Sequence, residues 1–248
     1  MERKVFEQMA ALDRNHWWFA ARRRILDGLI ERIVRPPAGA RILEVGCGTG
    51  HNLAMLSRFG TIEASELDPV ARELASERLG KPVEEAALPD LSMFPAASYD
   101  LIALLDVLEH VADDKASLAA IFERLKPGGA LLVTVPANPW MWSAHDVAHH
   151  HHRRYRKREI AALARAAGFA IELLSPFNSL LFPPIAAARF IGRLRGDQNS
   201  DDAMPGPLVN RTLDTLFGLE RSLIGRVPLP FGVSLVAVLR RPGPTARA

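Results

Sequence analysis

The tightest constraint on this chain is the stretch Arg41-Ile42-Leu43-Glu44-Val45-Gly46-Cys47-Gly48-Thr49-Gly50. A short apolar run, Ile42 to Val45, reads as a buried strand. Glycines at alternate positions then lead into a helix expected over Asn52 to Arg58. Glycine at 46, 48 and 50 permits positive φ and leaves no Cβ between the backbone and whatever lies against it. Because a helix start also offers unpaired N–H groups, the turn reads as a ligand seat.

Turns of this kind serve NAD, FAD, nucleotides and S-adenosylmethionine (SAM), so the neighbouring residues have to decide. Glu66 closes the next candidate strand, Thr61 to Ser65, and a carboxylate there suits a pair of ribose hydroxyls. The glycines follow G-x-G-x-G rather than the dinucleotide pattern G-x-G-x-x-G, which disfavours a nicotinamide-dependent oxidoreductase. Four motifs occur in order: Glu44-Val45-Gly46-Cys47-Gly48-Thr49-Gly50, Glu66-Leu67-Asp68-Pro69, Asp106-Val107-Leu108-Glu109-His110-Val111 and Leu125-Lys126-Pro127-Gly128-Gly129. With them the chain resembles the class I SAM-dependent methyltransferases, and more narrowly the methyltransferase type 11 group that includes UbiG-like quinone O-methyltransferases. The resemblance covers residues 40 to 175.

It implies an α/β fold, Rossmann-like, with a seven-stranded, mostly parallel sheet and flanking helices. The whole chain, 1–248, is expected to form a single domain. Residues 1–38 make an N-terminal helical lid, 39–175 the cofactor-binding core, 176–231 a helical insert or cap, and 232–248 the last strand and tail. The implied reaction is methyl transfer from SAM to a small-molecule or lipid-linked acceptor, with a hydroxyl as the favoured acceptor. A catalytically silent SAM-binding regulatory or assembly protein is the alternative.

Composition agrees with a globular enzyme: 248 residues, 48% hydrophobic and 24% charged, with a formal charge of +3. The arginines are scattered, so no nucleic-acid partner is expected. A single cysteine, Cys47, excludes an intrachain disulfide and fits a reducing cytoplasm. No apolar run reaches bilayer-spanning length.

At the N-terminus, Val5, Met9 and Leu12 mark a helix over Glu2 to Asp13, and Ile25, Leu29 and Ile33 mark a second one stopped by Pro36-Pro37. Between them lies His16-Trp17-Trp18-Phe19. Adjacent tryptophans cannot share a helix face, so at least one should meet a cleft or a partner element, either packing the helices onto the sheet or covering the cofactor. By the resemblance, Trp17 belongs to the cofactor site and Arg22, ahead of Arg23, meets the carboxylate of the SAM methionine moiety. Glu44, Gly46, Gly48, Gly50, Glu66, Leu67 and Asp106 complete the seat. Ala87 and Leu88, after a short strand at Pro82 to Glu85, reach the adenine, with Asp90 set too far along.

Strand Tyr99 to Leu105 ends at Asp106, which places His110 where the reactive methyl is expected and makes it a candidate base or acceptor anchor. After strand Ala130 to Val135, the loop carries His145, Asp146, four consecutive histidines from His149, Arg154 and Tyr155. By the resemblance this loop faces the acceptor, with His145, His149 and Tyr155 as further catalytic candidates. A metal on His145, Asp146 and His149 is disfavoured, because methyl transfer from a sulfonium requires no Lewis acid; no metal is expected. The insert contains an apolar stretch, Leu180 to Leu194, interrupted by arginines. A helix follows with Val209, Leu213, Leu216, Phe217, Leu223 and Ile224 along one side. It reads as a cap over the site, with peripheral contact to the inner membrane face through residues 180–195 as the other reading.

Overall fold

The computed structural model describes residues 12–195 and 204–243. The helix expected over Glu2 to Asp13 lies almost wholly outside the described residues.

Six strands form one sheet: β1 (Ala40–Val45), β2 (Gly60–Ser65), β3 (Tyr99–Leu105), β4 (Leu125–Pro136), β5 (Ala170–Phe177) and β6 (Ser234–Arg240). Their order is β2-β1-β3-β4-β6-β5. The first four are parallel, and β6 enters antiparallel between β4 and β5. Every second residue turns to the same face, so Ile42, Leu101 and Ala103 join one core while Leu43, Ile102 and Leu104 join the other. Helices cover both faces, as the continuous apolar run of β3 demands.

Among the described residues the sheet has six strands where seven were expected. Pro82 to Glu85 contributes a single bridge, Ser65 to Glu84, fixed by two backbone hydrogen bonds of 3.0 Å. At this edge Pro82 has no N–H to extend the ladder.

Helix α1 (Trp17–Leu29) runs on through a wider turn, Ile30–Val34, and stops at Arg35 in the left-handed region. The tryptophan pair therefore opens this helix rather than linking two. Its start is capped locally by His16, whose side chain accepts from the Trp18 N–H, and remotely by Asn210, whose Oδ1 accepts from the Trp17 N–H at 2.9 Å. Helix α2 (Leu53–Leu56) is one turn long, shorter than expected, and α3 (Pro69–Leu79) is capped by Asp68. Helix α4 (Asp114–Arg124) and the later α6 (Lys157–Ala166) bury Leu118, Ile121, Ile160 and Ala164 against one face of the sheet. A short helix, α5 (Ala144–Ala148), stands in the loop after β4.

The insert folds as α7 (Phe182–Arg195), α8 (Pro207–Gly218) and α9 (Glu220–Leu223). The face expected on α8 is split. Phe217 and Ile224 are buried in the α1 side of the core, whereas Val209 and Leu216 are exposed. Buried Glu220 accepts from the backbone N–H groups of Ser179 (2.6 Å) and Leu180 (2.9 Å), which ties the insert to the end of β5.

Candidate active site

Sheet order reverses direction between β1 and β3, and crevices open at such switch points beyond the carboxyl ends of the strands. Here a cavity of about 1100 Å³ runs from the glycine turn after β1 and Glu66 after β2, past Asp106 and His110 after β3, to Asn178 after β5. Leu181, Ile185, Ala188 and Arg189 of the insert form part of its wall.

The turn itself is built by hydrogen bonds. Glu66 accepts from the Gly48 N–H at 2.7 Å through one oxygen and from the Asp68 N–H at 2.9 Å through the other. Gly48 has φ +56°, and a Cβ there would meet nothing within 4 Å, so the turn leaves open space beside its backbone. Gly50 does different work: it does not line the cavity, and a Cβ would stand 2.9 Å from the Ala75 backbone, so its absence lets α3 pack close.

Glu44 also lies behind the wall. It is buried, its Oε1 accepts from the Asn52 amide at 2.9 Å, and among the described residues its Oε2 has no hydrogen-bond partner. Burial, only partly offset by Asn52 and by the charge of Arg22, pushes its carboxyl up to about 8.

Trp17 and Trp18 both line the cavity. Trp17 meets Phe217 edge-on, and the Arg22 guanidinium stacks 5.0 Å from the Trp18 ring centre. Arg22 is buried, pairs with Asp106 at 2.6 Å and donates to Thr134 Oγ1 at 3.2 Å. Arg23 instead holds Asp13, at 2.6 Å. Leu67, Ala87 and Leu88 line the cavity, and Asp90 does not.

In the histidine-rich loop, His145 and His149 line the cavity with their rings 4.2 Å apart. Tyr155 does not face it. Its ring is in the core, and its hydroxyl donates to Asp114 Oδ2 (3.0 Å) or the Leu108 carbonyl (3.3 Å). Asp146 is fully committed: Oδ1 to His151 and Arg154, Oδ2 to the Ser143 N–H and hydroxyl. That leaves it no capacity for the metal set weighed from the sequence.

Sequence reasoning passed over Glu109 and His151. Both line the cavity, and with His110 they bring one polar atom each within 4.8 Å of one another. Burial and then the charge of Asp106 raise Glu109 well above the ordinary carboxyl range. Burial, followed by His151 and His149, pushes His110 down to about 3. The available signal was the histidine run itself, which the fold uses selectively: His149 and His151 turn inward, while His150 is exposed at φ +54°.

A methyltransferase-domain family model matches residues 18–174. The ubiquinone biosynthesis O-methyltransferase of Xanthomonas axonopodis pv. citri is 34% identical over 168 residues, 60% of this chain and 69% of that protein. Its namesake from Paramagnetospirillum magneticum is 28% identical over 62% of this chain and 69% of that protein. Among solved structures, the [4+2]-cyclase SpnF superposes with a TM-score of 0.57 at 22% identity, covering 89% of this chain and 81% of that one. Geranyl diphosphate C-methyltransferase from Streptomyces coelicolor A3(2) does so with 0.58 at 12% identity, covering 86% and 78%. At these identities the two structures speak for the fold alone.

Proposed function

The chain belongs to the class I SAM-dependent methyltransferases, and from that premise we propose that it methylates a hydroxyl of a small-molecule acceptor of quinol or phenol type. The observation that carries the reading is the Glu66 carboxylate clasped to the Gly48 and Asp68 amides beside an open glycine, on a cavity that His110, His145, His149 and His151 also line. When bound, SAM supplies an electrophilic methyl on a sulfonium.

The residues present fit that cofactor. Glu66 takes the ribose hydroxyls, the turn at Gly48 lets the backbone approach, and Ala87 and Leu88 flank the adenine. Arg22 meets the methionine carboxylate, and Asp106 supplies negative charge near the cationic groups. The enzyme orients donor and acceptor in line and excludes water, and an imidazole of the histidine cluster accepts the hydroxyl proton. Trp17 and Trp18 close the cavity from α1.

A lipid-linked acceptor, met at the membrane surface, is favoured by one further observation. Phe190, Ile191, Leu208 and Val209 are exposed on the insert that walls the cavity. Among the described residues no helix is long and apolar enough to cross a membrane, so such contact would lie in the plane of the interface.

Label transfer from [methyl-¹⁴C]SAM to a panel of catechol, indole and glycine tests the reading. Label on catechol supports it, whereas label on indole or glycine alone contradicts hydroxyl methylation.

A further inference from the structure

Within the histidine-rich loop, one imidazole is held by a buried carboxylate. His151 Nδ1 lies 2.9 Å from Asp146 Oδ1, and the His151 N–H donates to the Asp146 carbonyl at 2.9 Å. Asp146 is completely buried. Its Oδ1 also accepts from Nε of buried Arg154 at 2.7 Å, and its Oδ2 accepts from the Ser143 N–H at 2.8 Å. Arg154 is itself anchored by donation to the Ala137 carbonyl at 3.2 Å, on the residue that follows β4. The carboxylate is thereby tied to the helix start on one side and to the sheet on the other.

An ionised carboxylate at Nδ1 selects the tautomer with its proton there and leaves the Nε2 lone pair as the acceptor. Burial works against that ionised form, but the hydrogen bonds from His151 and Arg154 and the guanidinium charge prevail, holding Asp146 well below the usual carboxylate range. His110 offers a contrast. Among the described residues no carboxylate hydrogen-bonds its ring, which meets His151 edge-on at 4.7 Å.

We propose that His151 is the general base for the acceptor hydroxyl and that Asp146, held by Arg154, is its positioning residue. The proposal rests on the O-methylation reading. The hydroxyl proton passes to His151 Nε2 while the oxygen lone pair forms a bond to the methyl carbon. The carbon–sulfur bond breaks with its electron pair going to sulfur, which leaves a neutral thioether and an imidazolium facing Asp146. The charged and titratable groups around the ring are Asp146, His145 and His149 from α5 and its end, Arg154 from the loop, and Glu109 and His110 from the turn after β3.

The test compares catechol with 4-nitrocatechol, which ionises at much lower pH and needs little help from a base, using labelled SAM and the full chain. His151→Gln is expected to lower kcat on catechol by about 10²-fold or more, the usual cost of losing a general base, and on 4-nitrocatechol by far less. Asp146→Asn should do the same more mildly and shift the pH profile, while ¹⁵N-histidine spectra lose the fixed Nδ1–H tautomer of His151. His110→Ala should cost less than His151→Gln on catechol. SAM affinity by calorimetry is expected to stay within a few-fold of wild type in His151→Gln. Equal losses on both acceptors, or no loss on either, would overturn the assignment while leaving O-methylation intact. Label going to indole or glycine and not to catechol would remove the O-methylation reading and this proposal with it.

Discussion

Replacing Glu44 by glutamine removes one ionisable proton and almost nothing else. Glu44 is buried at the end of β1, holds the Asn52 amide with one oxygen and, among the described residues, has no hydrogen-bond partner for the other. Its carboxyl is moved from 4.5 to about 8, with burial as the main cause. The raised value means that folding tolerates the neutral acid and penalises the anion. Stability is therefore full below the unfolded value of 4.5 and is lost as pH rises toward 8. At about 1.4 kcal/mol per pKa unit, the penalty reaches on the order of 3 kcal/mol by neutral pH. Glutamine keeps the acceptor for Asn52 and cannot ionise, so Glu44→Gln should match wild type in urea unfolding near pH 4.5 and exceed it by roughly that amount at pH 7. The cationic cofactor should oppose the shift, so SAM binding by the wild type is expected to release a proton, seen as a buffer-dependent binding heat that the variant lacks. A variant destabilised equally at both pH values would show that Glu44 is ionised and paired in the fold, and the reasoning would fail.

Two further outcomes are expected. S-adenosylhomocysteine should alter tryptophan fluorescence and slow hydrogen exchange in residues 12–35; no ligand-dependent protection there would leave Trp17 and Trp18 with a packing role only. Asn210→Ala removes the bond to the Trp17 N–H and the one to the Asn15 carbonyl, both 2.9 Å, and should cost about 1 kcal/mol in urea unfolding, with loss concentrated at the start of α1. An unchanged midpoint would mean that His16 alone suffices as the cap.

The readable parts of this molecule are those whose signals are local. A short apolar run that is buried almost throughout, three glycines and a strand-end acid announce the β1 turn, and the same logic finds Glu66 and Asp106. Their placement around one cavity follows from chain order in a parallel sheet. Distant contacts leave no such trace. Asn210 caps a helix 193 residues away, and nothing near either residue records it. Asp146, His151 and Arg154 are separated by five and three residues on an irregular path, so no periodicity links them. Tyr155 sat in a polar, aromatic stretch that resembled a binding loop, but the bridge between Ala137 and Tyr155 beside β4 turns its ring into the core. Pro82 to Glu85 had strand composition, yet an edge strand exists only as far as its neighbour pairs with it.

If the glycine turn and Glu66 hold SAM, calorimetric titration of wild type and Glu66→Ala with SAM separates the two proteins. Loss of the charge-assisted bonds to the ribose should weaken binding by about 2 kcal/mol, close to thirtyfold, at unchanged stoichiometry. Equal affinity in the two proteins, or no binding by the wild type, would contradict the account.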